Sequence, residues 1–233
     1  MHPYGVPLPL RLDPGFDAEN VDPRDPPPGS PWRVLLVGRL EDHDLKGIDL
    51  AAKAIGIAAS RREPGADSLE LVARGARPDT STELYNKLRE WSGYPGLRVV
   101  VRPFTTDSES LDADIKRASL LLMPSRSEGF GLVGLEAIVA GTPVLVSSKS
   151  GLGELLREAL EPEQVGRIVV RMSGDDEQDG EEWARAVEGM LRDREAAFRR
   201  ATEMRVLLAR QKTWAAAIAV LLGELREMLL KDG

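Results

Sequence analysis

The stretch from Leu120 to Ser148, LLLMPSRSEGFGLVGLEAIVAGTPVLVSS, constrains the fold of this chain more than any other. It reads strand, loop, helix, strand. Leu120 to Met123 is an apolar run too short for a helix, and Pro124, which cannot donate to a sheet ladder, ends it. Pro143 to Val146 is a second such run. Two short buried strands flanking one helix-length segment make a βαβ unit, which calls for a parallel sheet covered on both faces. The pattern starts the helix near Gly129, after a loop of Ser125, Arg126, Ser127 and Glu128, and the helix carries Glu136. A helix that begins where a parallel strand ends aims unpaired backbone N–H groups above the sheet edge, which suits phosphate. Gly129 and Gly131 let a ligand approach the backbone closely.

The same alternation runs through the rest of the chain. RVLLVG (33–38) is a first strand, followed by a polar loop and IDLAAKAIGIAA at helical spacing. Leu69 to Ala73 is a second strand and Leu97 to Val101 a third. Between them Thr80 to Trp91 reads as a helix, with Thr80 or Ser81 as cap and Glu83 placed for a capping box. Asp107 to Arg117 is a short helix. The opening stretch then supplies the fourth strand, a helix and the fifth strand. Gly151 to Leu160 is helical, Arg167 to Val170 is a sixth strand, and the acidic run 174–182 is a solvated turn. From about residue 181 the chain is helix-compatible, with a break near Gln211 to Thr213 and an apolar face from Trp214 to Leu230 expected in the core.

These elements define an α/β fold: a single Rossmann-like domain over 32–233, with a doubly wound parallel sheet of about six strands and C-terminal helices from about 181. Residues 1–31 carry Pro3, Pro7, Pro9, Pro14, Pro23, Pro26, Pro27, Pro28 and Pro31, and read as a proline-rich linker or N-terminal extension. Such a segment packs along the domain surface or joins it to an upstream domain.

Composition removes several function classes. A net charge of −7 gives no general attraction to nucleic acid. There is no cysteine, and His2 and His43 are the only histidines, so neither thiolate chemistry nor a multi-histidine metal site is expected. No apolar run in the sequence reaches the ~20 residues of a membrane span, and MHPYGVPLPL is not a secretory leader. A cytoplasmic protein is the simplest expectation.

In a sheet of this kind ligands bind beyond the C-terminal ends of the strands. That filter retains Gly38, Arg39 and Lys46 after the first strand, Arg74 and Gly75 after the second, and Arg102, Pro103 and Phe104 after the third. Ser125 to Gly131 follow the fourth and Ser147 to Glu154 the fifth. Arg39 and Lys46 would bring two cations to the helix start, as a diphosphate requires; the plain alternative is two solvated surface charges. The first loop is neither G-x-G-x-x-G nor a P-loop. Glu128 and Glu136 sit eight positions apart, so Glu136 would lie roughly 10 Å along a helix starting at Gly129, at about 1.5 Å per residue. Carboxylates accept hydroxyl hydrogen bonds and repel phosphate, which fits sugar positions at both ends of a diphosphate. The alternative makes Glu128 an acid complementing the helix dipole and Glu136 a helix-surface residue.

The run EGFGLVGLEAIVAGTPVLVS resembles the E-x7-E signature of the retaining GT-B glycosyltransferases, the glycosyl transferases group 1 family. VGRLEDHDLKGIDLAAKA is similar to that family's first strand and loop, and LELVARGARPD to its second; the likeness runs to about Leu155. The resemblance implies the C-terminal, donor-binding half of a GT-B enzyme, with a UDP- or GDP-sugar as donor substrate and no metal or other cofactor. It implies that Arg39 and Lys46 bind the diphosphate and that Glu128 contacts the transferred hexose. The amides of Gly129, Phe130, Gly131 and Leu132 would hold sugar and phosphate oxygens, and Glu136 the ribose hydroxyls. Gly38 and the backbone around Arg102 to Phe104 would edge the ligand and its base.

Two positions depart from the family pattern. Val133 replaces a frequent proline, and Ser150-Gly151-Leu152-Gly153-Glu154 replaces G-G-x-P-E, which predicts a looser loop. An N-terminal acceptor-binding domain, in cis or in trans, would have to complete the site, and with it the histidine that many relatives supply. A stand-alone module that binds or senses nucleotide sugars without catalysis is the alternative, and an interaction protein using the terminal helices is a third reading.

Overall fold

The computed structural model describes residues 24–211 and 214–231. Six parallel strands, β1 (Trp32–Val37), β2 (Leu69–Ala76), β3 (Arg98–Pro103), β4 (Leu120–Met123), β5 (Val144–Ser147) and β6 (Val169–Val170), lie in the order β3-β2-β1-β4-β5-β6. This is a doubly wound Rossmann-like sheet whose strand order reverses between β1 and β4. Leu35 of β1 pairs with Val72 on one side and Leu121 on the other, so the apolar runs interdigitate at the centre of the sheet.

The helices are α1 (His43–Lys46), α2 (Ile48–Ser60), α3 (Ser81–Ser92), α4 (Ser108–Arg117), α5 (Leu132–Val139), α6 (Gly151–Ala159), α7 (Pro162–Ile168), α8 (Asp176–Arg192), α9 (Arg194–Gln211) and α10 (Trp214–Lys231). Right-handed crossovers put α2 and α3 on one face of the sheet and α5 on the other. Small residues let α2 pack closely: a Cβ on Gly56 would lie 1.8 Å from the Ser92 carbonyl oxygen of α3. Trp183, Val187 and Leu191, each a turn apart and buried, form the stripe that faces α8 inward, where it packs on α2. α9 packs on α5.

Several expectations are corrected. The sixth strand is two residues long because Pro162 opens a helix that carries Arg167 and Ile168. The Gln164 side chain reaches back to the Glu161 amide at 3.2 Å and fixes that start. The helix of 81–92 has no side-chain cap: Thr80 already has helical φ and ψ, and the Ser81 hydroxyl donates to the Arg77 carbonyl instead. Residues 174–182 are not a solvated turn. Asp175 accepts from the Glu177 and Gln178 amides and starts α8, and Asp179 is buried beneath the turn. An unforeseen break at Asp193 separates α8 from α9, while the expected break near Gln211 to Thr213 falls on residues 212–213, outside the described residues.

Where its side chains are described, the apolar face of α10 is not core. Ile218, Leu221, Leu222, Leu225 and Met228 are about half exposed, because no described element lies over them; Ala217 is buried. By length and composition alone the stretch Arg194–Met228, which includes α9 and α10, could cross a bilayer, contrary to the expectation that no apolar run does so. Of the proline-rich segment, residues 1–23 lie outside the described residues. Arg24 binds the Ala140 carbonyl and the Thr142 hydroxyl, and Arg194 binds the Pro27 carbonyl, so residues 24–31 pack along the domain surface.

Burial would push the Asp179 carboxyl up, but the Ser173 amide and hydroxyl and the Gly174 amide hold it below its ordinary range. A carboxyl whose folded pKa is depressed contributes stability above its unfolded pKa, and that contribution is lost as pH falls through the folded value. Asp179→Asn should therefore destabilise the chain at pH 7 by about 1–3 kcal/mol. In thermal unfolding, the gap between wild type and variant should close below about pH 4.

Candidate functional site

The reversal between β1 and β4 opens a cleft of about 310 Å³ above the sheet. Gly38, Lys46, Ser125, Glu128, Phe130, Gly131 and Leu132 are in its wall, over a floor that includes Leu36, Ile48 and Met123. Its shape depends on two close backbone approaches. Gly47 ends α1 at φ +64°, and a Cβ there would lie 2.2 Å from the Pro124 carbonyl oxygen. The loops after β1 and β4 therefore touch backbone to backbone. On the other side, a Cβ on Gly151 would lie 2.5 Å from the Gly129 carbonyl oxygen.

The loop after β5 is consequently pinned, not loose as the S-G-L-G-E sequence suggested. Gly151 and Leu152 amides donate to the Gly129 and Phe130 carbonyls at 3.2 and 2.7 Å, and the Glu128 amide donates to the Lys149 carbonyl at 3.1 Å. Ser150 is buried and caps α6 by accepting from the Gly153 amide. The absent proline is replaced by hydrogen bonding.

α5 begins at Leu132, three residues later than the pattern suggested, because Gly131 takes φ +103° and places the turn there. A side chain at 131 would also strike Met123. Glu136 thus lies about one turn into the helix, roughly 6 Å past Leu132. Among the described residues the amides of Gly129, Phe130, Gly131, Leu132 and Val133 donate to no protein acceptor. They are the free donors of a helix start, beside open space over Gly129.

Lys46 and Glu128 are not solvated surface charges. Their side chains are 27% and 18% exposed, and Lys46 Nζ lies 2.5 Å from Glu128 Oε2, to which the Ser125 hydroxyl also donates at 3.4 Å. The cation and the carboxylate come from loops after different strands and meet at the cleft. Arg39 is exposed beside Gly38 and has no hydrogen-bonding or ionic side-chain partner among the described residues. Glu136 lies outside the cleft wall, yet its Oε2 is buried without a partner among the described residues, and burial pushes its pKa up. A helix-surface glutamate would show neither property.

The third-strand positions stand apart from the cleft. The Arg102 side chain pairs with buried Asp114, which Arg74 also binds at 2.5 Å while donating to the Pro103 carbonyl and the Ser110 hydroxyl. Arg74 therefore braces α4 against the sheet. Phe104 is 64% exposed at the end of β3, its amide bound to the Ala76 carbonyl.

Sequence reasoning assigned no role to Arg126. It pairs with Asp49 of α2 through two 2.8 Å hydrogen bonds, binds Asp176 of α8 at 2.7 Å and the Asp44 carbonyl at 2.8 Å. The paired Asp49 hydrogen bond holds the guanidinium charged, and Arg126 offsets the burial that would raise the Asp49 carboxyl. One side chain thus ties the cleft loop to two helices. Its partners lie 77 and 50 residues away, so no local pattern reports them. Among the described residues no group of three or more acidic or histidine side chains is arranged to hold a metal.

The chain matches, over residues 1–221, the family model described as family 4 glycosyltransferase in conflict systems. It is 33% identical over 165 residues to the D-inositol 3-phosphate glycosyltransferase of Rhodococcus opacus (strain B4), covering 68% of this chain and 32% of that protein. The protein of the same name from Paenarthrobacter aurescens (strain TC1) is 33% identical over 193 residues, 82% of this chain and 42% of that one. The chain thus spans well under half the length of these curated relatives. Among solved structures, sucrose-phosphate synthase from Thermosynechococcus elongatus superposes with a TM-score of 0.62 at 25% identity, over 99% of this chain and 53% of that one. The catalytic domain of cholesterol-alpha-glucosyltransferase from Helicobacter pylori shares the fold at 16% identity, with a TM-score of 0.57 over 79% of this chain and 100% of that one.

The Gly47 contact is testable by stability. An L-residue held in the left-handed region costs about 1–2 kcal/mol before any steric overlap. Gly47→Ala should lower the melting temperature by at least ~2–4 °C per kcal/mol for a domain of this size. An unchanged melting temperature would mean that the two loops can separate freely.

Proposed function

This chain belongs to the family 4 glycosyltransferases of conflict systems, and from that membership we propose that it is the donor-binding half of a retaining hexosyltransferase. Its donor substrate is a UDP- or GDP-sugar, seated over the start of α5. The observation that carries this reading is the buried Oε2 of Glu136, which has no partner among the described residues, one turn along a helix whose first amides likewise have none among them. A ligand with hydroxyls at one end and phosphate at the other satisfies both sets at once.

The roles follow from charge and geometry. Glu136 accepts hydrogen bonds from the ribose hydroxyls, and the amides of Gly129 to Leu132 hold phosphate and sugar oxygens. Lys46, with Arg39 at the rim, stabilises the diphosphate as negative charge develops on it when the glycosidic bond breaks. Glu128, held by Lys46 and Ser125, contacts the hexose and keeps Lys46 aimed into the cleft. Gly38 and the backbone from Arg102 to Phe104 border the ligand. The acceptor-binding half, in cis or in trans, faces this surface and supplies the second substrate.

The test is ligand-observed NMR and calorimetry with nucleotide hexoses. Wild type should bind weakly, and Lys46→Ala should bind less. Glu136→Gln should lose about tenfold to a hundredfold in affinity, the worth of hydrogen bonds to a charged group. Because burial raises the Glu136 pKa, its charged form costs folding energy, increasingly so as pH rises. The same variant should therefore keep or raise the melting temperature of the unliganded chain at pH 7. A loss of stability together with unchanged affinity would assign Glu136 to structure and overturn the reading.

A further inference from the structure

The opposite end of β1 carries a second set of donors that the cleft does not use. Trp32 opens the strand and is half-buried. The guanidinium of Arg62, just past α2, lies 4.4 Å from its ring centroid, and that of Arg194, at the start of α9, lies 4.6 Å from it. Two cations therefore press on one indole.

Neither cation is in salt-bridge contact with a carboxylate among the described residues, and the charge of Asp67 reaches both only at longer range. Arg194 donates to the Pro27 carbonyl at 2.6 Å, but neither guanidinium forms an ion pair among the described residues, and the Nε of each is buried with no acceptor. The Trp32 indole N–H likewise has no protein acceptor among them. Carboxylates do reach this part of the chain: Arg61, the neighbour of Arg62, pairs with Glu181 at 2.9 Å. Asp67 acts on Arg62 and Arg194 only through space. Burial lowers the pKa of both arginines, and the charge of Arg62 lowers that of Arg194 further. Unsatisfied buried donors and like charges each cost free energy, which stacking on one aromatic ring offsets only in part.

We propose that Arg62, Arg194 and the indole N–H of Trp32 form a binding site for a phosphate group, carried by inorganic phosphate or a small phosphate monoester. A phosphate offers several acceptor oxygens and close to two negative charges, matching two forked cations and a third donor. β1 separates this site from Gly38 by roughly 20 Å, at about 3.3 Å per residue. The site is thus independent of the donor cleft and stands or falls without it.

The indole N–H signal of Trp32 reads the site directly in a ¹H–¹⁵N spectrum of the full chain. The chain has four tryptophans, and loss of one peak in Trp32→Phe assigns it. Titration with inorganic phosphate, against sodium chloride at equal ionic strength, should shift that peak saturably. Arg62→Gln and Arg194→Gln should each weaken the response by about tenfold. Lys46→Ala should leave it unchanged. Arg62→Gln leaves the Pro27 contact intact and decides the matter if Arg194→Gln disturbs folding, which the remaining peaks report. A peak that shifts no more than in chloride, a response equal to wild type in Arg62→Gln, or a response lost in Lys46→Ala would overturn the proposal. A glucose 1-phosphate titration distinguishes a monoester from the free ion: tighter binding selects the monoester, equal or weaker binding selects the ion.

Discussion

Two backbone contacts fix the cleft: Gly47 against the Pro124 carbonyl, and Gly151 against the Gly129 carbonyl. Each brings loops from adjacent strands closer than any side chain would allow. The first sets Lys46 beside the β4 loop, and the second ties Glu128 to Phe130 to the loop after β5. Gly131 then turns the chain at φ +103° into α5. Without these contacts the free amides at the start of α5 would still exist, but nothing would aim them and the Lys46–Glu128 pair at the same space. Arg126 extends the constraint outward by tying the β4 loop to α2 and α8.

The charges around the start of α5 divide in the way the proposed function requires. A cation and unpaired amides surround the helix start, while one carboxylate stands before it and another a turn beyond. Glu128 is neutralised by Lys46, but one oxygen of the half-buried Glu136 is buried with no partner among the described residues. A buried acceptor left unsatisfied costs the free protein about 1–3 kcal/mol. Under the proposed function a ligand hydroxyl removes that cost, so part of the binding energy is stored in the unliganded fold. At the other end of the same strand, Arg62 and Arg194 show the mirror situation: the Nε of each is buried with no acceptor among the described residues.

The sheet was legible in the sequence because its strands are buried on both faces and read as short apolar runs. LLLM and VLLV needed no partner information to be recognised. The last strand was harder: RIVV reads as one apolar run like the others, yet Pro162 and the capping Gln164 make half of it helix. The acidic run 174–182 misled for a related reason, since Asp179 is buried by hydrogen bonds to Ser173 and Gly174, which composition cannot show. Within the site, Lys46, Glu128 and the glycines could be placed because each follows a strand. Arg126 and the pinning of the β5 loop could not, since they depend on partners distant in the chain or on backbone atoms that carry no sequence signal. The face of α10 was read as core because amphipathic spacing reports an apolar stripe and not what lies against it.

Whether the start of α5 receives the donor's phosphate groups, as proposed, is read most directly from backbone amide shifts on adding a UDP- or GDP-hexose to the ¹⁵N-labelled chain. The largest shifts should fall on Gly129 to Val133, with smaller ones at Gly38 and Lys46. Largest shifts elsewhere, with Gly129 to Val133 unmoved, would contradict the proposal.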